Sequence, residues 1–417
     1  MNILHPTRTV LTLTPRYVER FRCVGAQCED SCCSGWSVTL DKKTFYSYRQ
    51  LQQPELRSII DSSIARKRSG ASDAAYARIK LASGTRACPL MNEGLCSVQK
   101  NLNESYLSHT CFSYPRYTRK FGKQYEQALS LSCPEAARLA LLDRDAFDFI
   151  ERPLTVRMEP IATVGAKRGM TVELMDEIRI LCLKLVRTEG LELWQKLAVL
   201  GIFCENLDEM LRKGLHATIP VLLQNTVTMI EQGEFVAVLA EMPPNHRSQT
   251  MVFAAFWNGP GFEVNSGTVV SPPQVETVAA IRSRLNAGTD AGVTQDDALV
   301  QAYMTGVQRL PEALQATPHL LEHFLLNEMF RELFPFKGNS PYEAYLQLIA
   351  EYGLLRFMIA VQCNTDGALP DAAALVRTVH VFYRLFQHDH RFGQMHHALT
   401  KSGFGSLEKV YGFLRTN

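Results

Sequence analysis

The sequence has no excess of either charge sign. Forty-four Lys and Arg stand against 42 Asp and Glu, a formal net charge of +2 over 417 residues. A general nucleic-acid binder carries a strong basic excess, so that class is excluded. Long hydrophobic runs are missing too. None approaches the ~20 residues needed to cross a bilayer, and the longest are broken by charge within amphipathic patterns. The opening MNILHPTRTVLTLTPRYVER has neither a continuous apolar h-region nor a small-residue cleavage site, so a secretory signal is not expected. These absences predict a cytoplasmic protein that engages neither membrane nor nucleic acid.

Cysteine, by contrast, is abundant and unevenly placed. Of eleven, eight lie early: Cys23, Cys28, Cys32, Cys33, Cys88, Cys96, Cys111 and Cys133. Only Cys182, Cys204 and Cys363 follow. Cytosolic thiols are kept reduced, so such a cluster points to metal binding or catalysis rather than to disulfides. The first four form C-x4-C-x3-C-C-x-G-W, and the others sit in CPLMNEGLC, CFSYPR and LSCPEAARL. Eight thiols can supply two four-cysteine sites, or one site plus structural cysteines. Successive side chains in extended backbone point to opposite faces, so adjacent Cys32 and Cys33 more easily serve different sites, although a turn would bring both to one.

Structural zinc usually sits between two C-x2-4-C knuckles. Only Cys28 to Cys32 has that spacing. Irregularly spaced cysteines converging from distant loops, with Pro89 and Pro134 fixing the backbone after Cys88 and Cys133, suit an iron–sulfur cluster. Zinc is the alternative metal. The three late cysteines fall on apolar helical faces and read as core residues.

The fold is expected to be mainly α. Residues 1–150 read as a loop-rich, cysteine-cluster N-terminal domain with a few helices, including one over KKTFYSYRQL capped by Asp41 and one starting at Pro134. The basic stretch 65–86 reads as a solvated helix and loop, or as a docking surface. Residues 151–170, with Pro153, Pro160, Gly165 and Gly169, read as a linker. From 171 to 417 apolar residues recur at three- and four-residue steps, as in TVELMDEIRILCLKLVRTEG, which predicts an α-helical domain. Pro273, Pro341 and Pro370 mark helix starts there.

The cysteine motifs resemble those of the flagellin lysine N-methylase family. The likeness lies in CVGAQCEDSCCSGW, CPL…LC, CFSYPR and SCPEAARL, over about residues 16–140. It implies S-adenosylmethionine as methyl donor, an iron–sulfur (4Fe–4S) cluster, and flagellin as protein substrate. On that reading Tyr114 and Arg116, close behind Cys111, would reach a cluster-bound ligand, with Arg116 facing the donor's carboxylate. The other reading makes them a structural tyrosine and a surface arginine.

Familiar donor-binding patterns are missing. MVFAAFWNGPGFE (251–263) imitates a strand and glycine turn, but no further glycine completes it. Cys28 and Cys32 match the start of C-x3-C-x2-C, and Gly35 occupies the third position. Asn245-His246 is all that resembles a SET-type pattern. No catalytic residue can therefore be named. Glu328 and Glu332, one turn apart, are candidates for a base or for a plain surface pair, and HDHRFGQMHH (388–397) for a metal site or a solvated helix end. Two non-methylase readings also fit: a zinc- or iron–sulfur-binding protein-interaction module, and a redox or iron-handling protein.

Overall fold

The computed structural model describes residues 4–258, 271–285, 294–387 and 392–416. The chain forms two compact units. One comprises residues 1–139, 148–164 and 265–275; the other comprises 140–147, 165–264 and 276–417. Helices dominate the secondary structure, as the periodicity predicts.

The first unit is built on a sheet that sequence reading missed. Its strands are β1 (Thr7–Pro15), β2 (Thr39–Leu40), β3 (Ile64–Arg66), β4 (Ala77–Ile79), β5 (Met91–Asn92), β6 (Leu95–Cys96), β7 (Arg116–Phe121), β8 (Gln124–Leu129), β9 (Phe149–Arg157) and β10 (Ala162–Val164). Five of them form one mixed sheet in the order β10-β7-β8-β1-β9. β1 pairs antiparallel with β9 over nine residues, from Thr7 opposite Arg157 to Pro15 opposite Phe149. β7 and β8 make a hairpin around Gly122, whose φ of 57° is the left-handed value that glycine adopts freely. A buried ion pair, Arg119 Nε to Glu126 Oε2 at 2.7 Å, ties the two strands together.

The expected linker is therefore sheet. Residues 151–157 complete β9, and 162–164 are β10. Pro153 is tolerated because β9 is an edge strand, where a missing N–H costs no ladder bond on the open side. The basic stretch 65–86 is not helical either. It runs through β3 and β4, which pair with β2 in a small antiparallel sheet. Asp41 does cap a helix, Lys42–Arg49, accepting from Thr44 N at 2.9 Å. A second core, with Leu40, Tyr48, Ile60 and Val98 at its centre, packs Cys88 inside and Cys33 and Cys96 at its margin.

Apart from an isolated bridge between Lys167 and Met170, the regular elements of the second unit are helices among its described residues, including Val172–Arg187, whose N-cap Thr171 accepts from Leu174 N. At its centre lies Pro341–Cys363, where almost every residue is buried. Among the described residues it is the one helix long and apolar enough to span a bilayer, and its apolar window is wholly buried. A helix that is apolar on all sides belongs in a core. Two glycines allow close approach to it. A Cβ on Gly306 would lie 1.8 Å from the Ala360 carbonyl oxygen, and one on Gly353 would lie 1.9 Å from the Phe253 ring. Buried Arg356 donates to the carbonyls of Leu414 (2.6 Å) and Phe413, satisfying the end of the last helix, Leu407–Leu414. Cys182, Cys204 and Cys363 are fully buried core residues.

The segment MVFAAFWN lies in the helix His246–Asn258, so no strand leads into the glycine turn; residues 259–263 fall outside those described. That removes the structural context a dinucleotide-type turn requires.

Candidate functional site

Each unit presents a group of chemically loaded side chains. In the first unit all eight early cysteines are free thiols. Cys28 closes a short 3-10 turn, Gly25–Gln27. Cys88 N donates to Cys33 O at 2.6 Å, which brings two distant motifs together. Cys96 ends the β5–β6 ribbon, Cys111 lies in the short helix His109–Ser113, and Cys133 immediately precedes the helix Pro134–Leu142.

Mutual electrostatic influence sorts these thiols. Cys111 is pushed up to about 12, chiefly by the protein crowded around it although its surface is open, with Cys96, Cys33 and Cys88 adding to the rise. Cys88 is pushed up to about 11 by burial, then by Cys33 and Cys96. A second set gathers at Cys133, pushed up to about 12 by burial, with Cys28 and Cys23 contributing. Cys32 and Cys33 share a hydrogen bond. It holds the proton on Cys32 and lowers Cys33 to about 7. Cys32 also feels Cys111 of the first set and Cys133 of the second, so it is electrostatically linked to both.

The donor set fits a bound metal–sulfur group. Burial chiefly, and the repulsion between close thiolates second, keep Cys88, Cys111 and Cys133 protonated; a cation placed among them counters both effects. Backbone N–H groups of Leu90, Val98 and Gln99, and of Glu135 and Ala136, already point at Cys88, Cys96 and Cys133 respectively and favour the thiolate forms. Trp36 Nε1 donates to the Cys32 carbonyl at 2.7 Å, and the indole packs 5.5 Å from the Tyr114 ring. Tyr114 Oη lies 3.1 Å from Ser132 Oγ, next to Cys133. Arg116 stacks on Phe21 at 5.2 Å, feels Cys23 and Cys133, and lines a cavity of about 190 Å³ together with Arg157.

The second unit holds a cavity of about 280 Å³ with an acidic lining on an apolar floor. Glu328 and Glu332, singled out in the sequence, both reach it, with Glu343 and Glu351 from the central helix and His396 and His397 from Met395–Lys401. Residues 388–391 of the histidine-rich run lie outside those described. Met329, Phe334 and Leu348 supply the apolar part.

The four carboxylates are not equivalent. Glu328 is committed: Arg331 donates to both its oxygens at 2.8–3.1 Å, and Tyr383 Oη donates to Oε1 at 2.5 Å. Glu332 bridges Arg331 (2.5 Å) and Lys337 (2.6 Å). Glu343 Oε2 is buried without a hydrogen-bond partner, 3.9 Å from the equally unpartnered His396 Nε2. Glu351 is 5% exposed and accepts from Gln347 Nε2 at 2.7 Å. Burial first, and the charge of Glu328 second, push it up to about 8. A carboxyl poised near neutral pH can take a proton from an amine, and carboxylates over an apolar floor suit a methylene chain ending in an ammonium.

The sequence offers Glu328 and Glu332 as a base or a surface pair, and the run holding His396 and His397 as a metal site or a solvated helix end; it singles out neither Glu343 nor Glu351. The available signal was a lone Glu351 inside the apolar run YLQLIAEYGLLRFMIAV. A charge there is buried with its helix and needs a reason.

The chain matches the family model described as FliB lysine N-methylase C-terminal domain over residues 179–413, which contain the acidic cavity. It is 24% identical over 397 residues to the lysine-N-methylase of Salmonella typhimurium (strain LT2), covering 93% of this chain and 94% of that protein. The lysine-N-methylase of Salmonella choleraesuis matches equally, at 24% over 397 residues. The flagellar biosynthetic protein FliU of Salmonella muenchen is 38% identical over 144 residues, 34% of this chain and 84% of that protein. No solved structure matches the chain. With more than half its length inside that family model, the chain belongs to the FliB lysine N-methylase family and is a lysine N-methyltransferase.

Proposed function

We propose that this protein transfers methyl groups from S-adenosylmethionine to surface lysines of flagellin, and that its early cysteines hold an iron–sulfur cluster. The acidic cavity of the matched domain carries the reading. A lysine ammonium must lose its proton before nitrogen can attack, and Glu351, held near 8, is the group suited to accept it. Gln347 would fix the receiving carboxylate, and Glu343 would draw in the cationic chain over Met329 and Leu348. S-adenosylmethionine, when bound, supplies an electrophilic methyl. The protein's part is to align the amine and keep water out.

Flagellin as substrate is supported by the flagellar name of the Salmonella muenchen relative. The cluster reading rests on two sets of thiols, one around Cys33, Cys88, Cys96 and Cys111, the other around Cys23, Cys28 and Cys133, with Cys32 linked to both. A four-iron cluster takes four cysteines, so the first set by itself, or the second completed by Cys32, would hold one. Zinc in one set is the competing assignment. Arg116, beside Cys23 and Cys133, is the residue proposed to face the donor's carboxylate, with Tyr114 packed against Trp36 as its support. The near-neutral charge and the thiol-rich unit are in keeping with a cytoplasmic protein that does not engage nucleic acid or membrane.

The test is anaerobic purification with iron, sulfide and zinc analysis, followed by methyl transfer to purified flagellin. About four irons with matching sulfide per occupied site, and label on flagellin lysines, are expected. Zinc without sulfide would overturn the cluster assignment. Absence of label on any flagellin lysine would overturn the substrate assignment.

A further inference from the structure

We propose that His5, His109 and Glu159 form a binding site, separate from the cysteines, for a divalent first-row transition cation that prefers nitrogen and oxygen ligands. One ligand atom from each of the three lies within 4.8 Å of the others. His5 precedes β1, His109 opens the helix His109–Ser113, and Glu159 follows β9. Three chain segments, 50 to 154 residues apart in sequence, thus converge on one point. Glu159 Oε2 is the hinge, 3.2 Å from His109 Nε2 and 3.7 Å from His5 Nδ1. Ligands about 2.1 Å from an ion stand no more than about 4.2 Å apart, so both separations suit a shared cation.

The hydrogen bonds around His5 fix which nitrogen faces the site. Thr44 Oγ1 donates to Asp41 Oδ2 at 2.6 Å, because a carboxylate only accepts. The Thr44 oxygen, 2.8 Å from His5 Nε2, is then free only to accept, so His5 Nε2 carries the proton and donates. Nδ1 is left with a bare lone pair. It is buried, has no hydrogen-bond partner, and faces the Glu159 oxygen. The Glu159 side chain is 46% exposed, so the site is open on that side; the two lone pairs facing each other at 3.7 Å still repel unless positive charge lies between them. A metal cation resolves the conflict. The Asp41–Thr44–His5 chain is also the kind of support that orients a metal-binding imidazole.

His109 faces the site through Nε2, while its Nδ1, on the far side of the ring, is buried without a hydrogen-bond partner. Lys43 competes: its Nζ holds Glu159 Oε1 at 2.5 Å, leaving Oε2 for the histidines. Lys43 is exposed and can swing aside. Two imidazoles and one carboxylate, with no thiolate, match zinc or ferrous iron sites with open coordination positions.

The experiment uses the full chain with its cysteine-bound metal in place and Zn²⁺ as the probe in equilibrium dialysis, alongside Glu159→Gln and Lys43→Ala. Expected is one zinc equivalent that Glu159→Gln binds at least ~10-fold more weakly, with iron and sulfide unchanged. Lys43→Ala should bind it more tightly, because the competing ammonium is gone; a merely structural ion pair would give no gain. X-ray absorption of the added zinc should show nitrogen and oxygen neighbours near ~2.0–2.1 Å. The proposal is overturned if the wild type binds no such equivalent. It is equally overturned if Glu159→Gln binds zinc as the wild type does, or if the added zinc shows sulfur neighbours.

Discussion

Replacing Glu351 by Gln separates two consequences of one buried carboxyl. The folded protein holds Glu351 at about 8, against 4.5 for a free glutamate, through burial and the nearby charge of Glu328. At about 1.36 kcal/mol per tenfold, ionising it inside the folded protein costs ~5 kcal/mol. The sign follows from proton binding. Between 4.5 and 8 the folded chain holds a proton that the unfolded chain has released, so stability falls as pH rises. Gln347 still has an oxygen to donate to in Glu351→Gln, but the titration is gone. Chemical denaturation of both proteins, followed by far-UV circular dichroism, should find the variant gaining ~4 kcal/mol on the wild type between pH 5 and pH 9. Against a total stability of about 5–15 kcal/mol, that is readily measured. Groups that do not interact with Glu351 cancel in the difference. A difference that stays flat with pH would refute the raised value and with it the role of Glu351 as a poised base.

Gly306→Ala should destabilise the helical unit by several kcal/mol, roughly the upper end of overpacking effects, because its Cβ meets the backbone oxygen of Ala360 and not a movable side chain; an unchanged melting temperature would contradict the close approach. Cys96→Ser and Cys133→Ser should each remove the metal of one thiol set and leave the other set's in place, read by metal and sulfide analysis; complete loss in both would mean a single shared site. Cys182→Ala should leave iron and sulfide unchanged and cost about 1–2 kcal/mol of stability, since Cys182 is fully buried among apolar neighbours.

The legible and illegible parts of the chain differ for physical reasons. Helices after residue 170 carry apolar residues at helical spacing, and Thr171 or Pro341 mark their starts, so they are readable. β1, TRTVLTLTP, hides its role because its buried face includes Thr12 and Thr14, polar residues that satisfy themselves by bonding to nearby carbonyls. β9 hides behind Pro153, which only its edge position makes acceptable. The cysteine cluster was legible because eight reduced thiols need a chemical reason, while their spacing left open two four-cysteine sites or one site plus structural cysteines. The acidic cavity was half legible. Glu328 and Glu332 sit one turn apart, whereas Glu343 and Glu351 join them only through the packing of the central helix. His5, His109 and Glu159 are scattered along the chain, and no local pattern links them.

The most direct measurement is methyl transfer from labelled S-adenosylmethionine to flagellin, with the modified residues mapped by mass spectrometry, for the wild type and Glu351→Gln. Wild type should label lysine side chains at a rate that rises with pH toward 8. The folded variant should be slower by about 10²–10⁴-fold. A variant as active as the wild type, with the same pH profile, would contradict the assignment of Glu351 and its cavity as the place where the lysine amine is prepared.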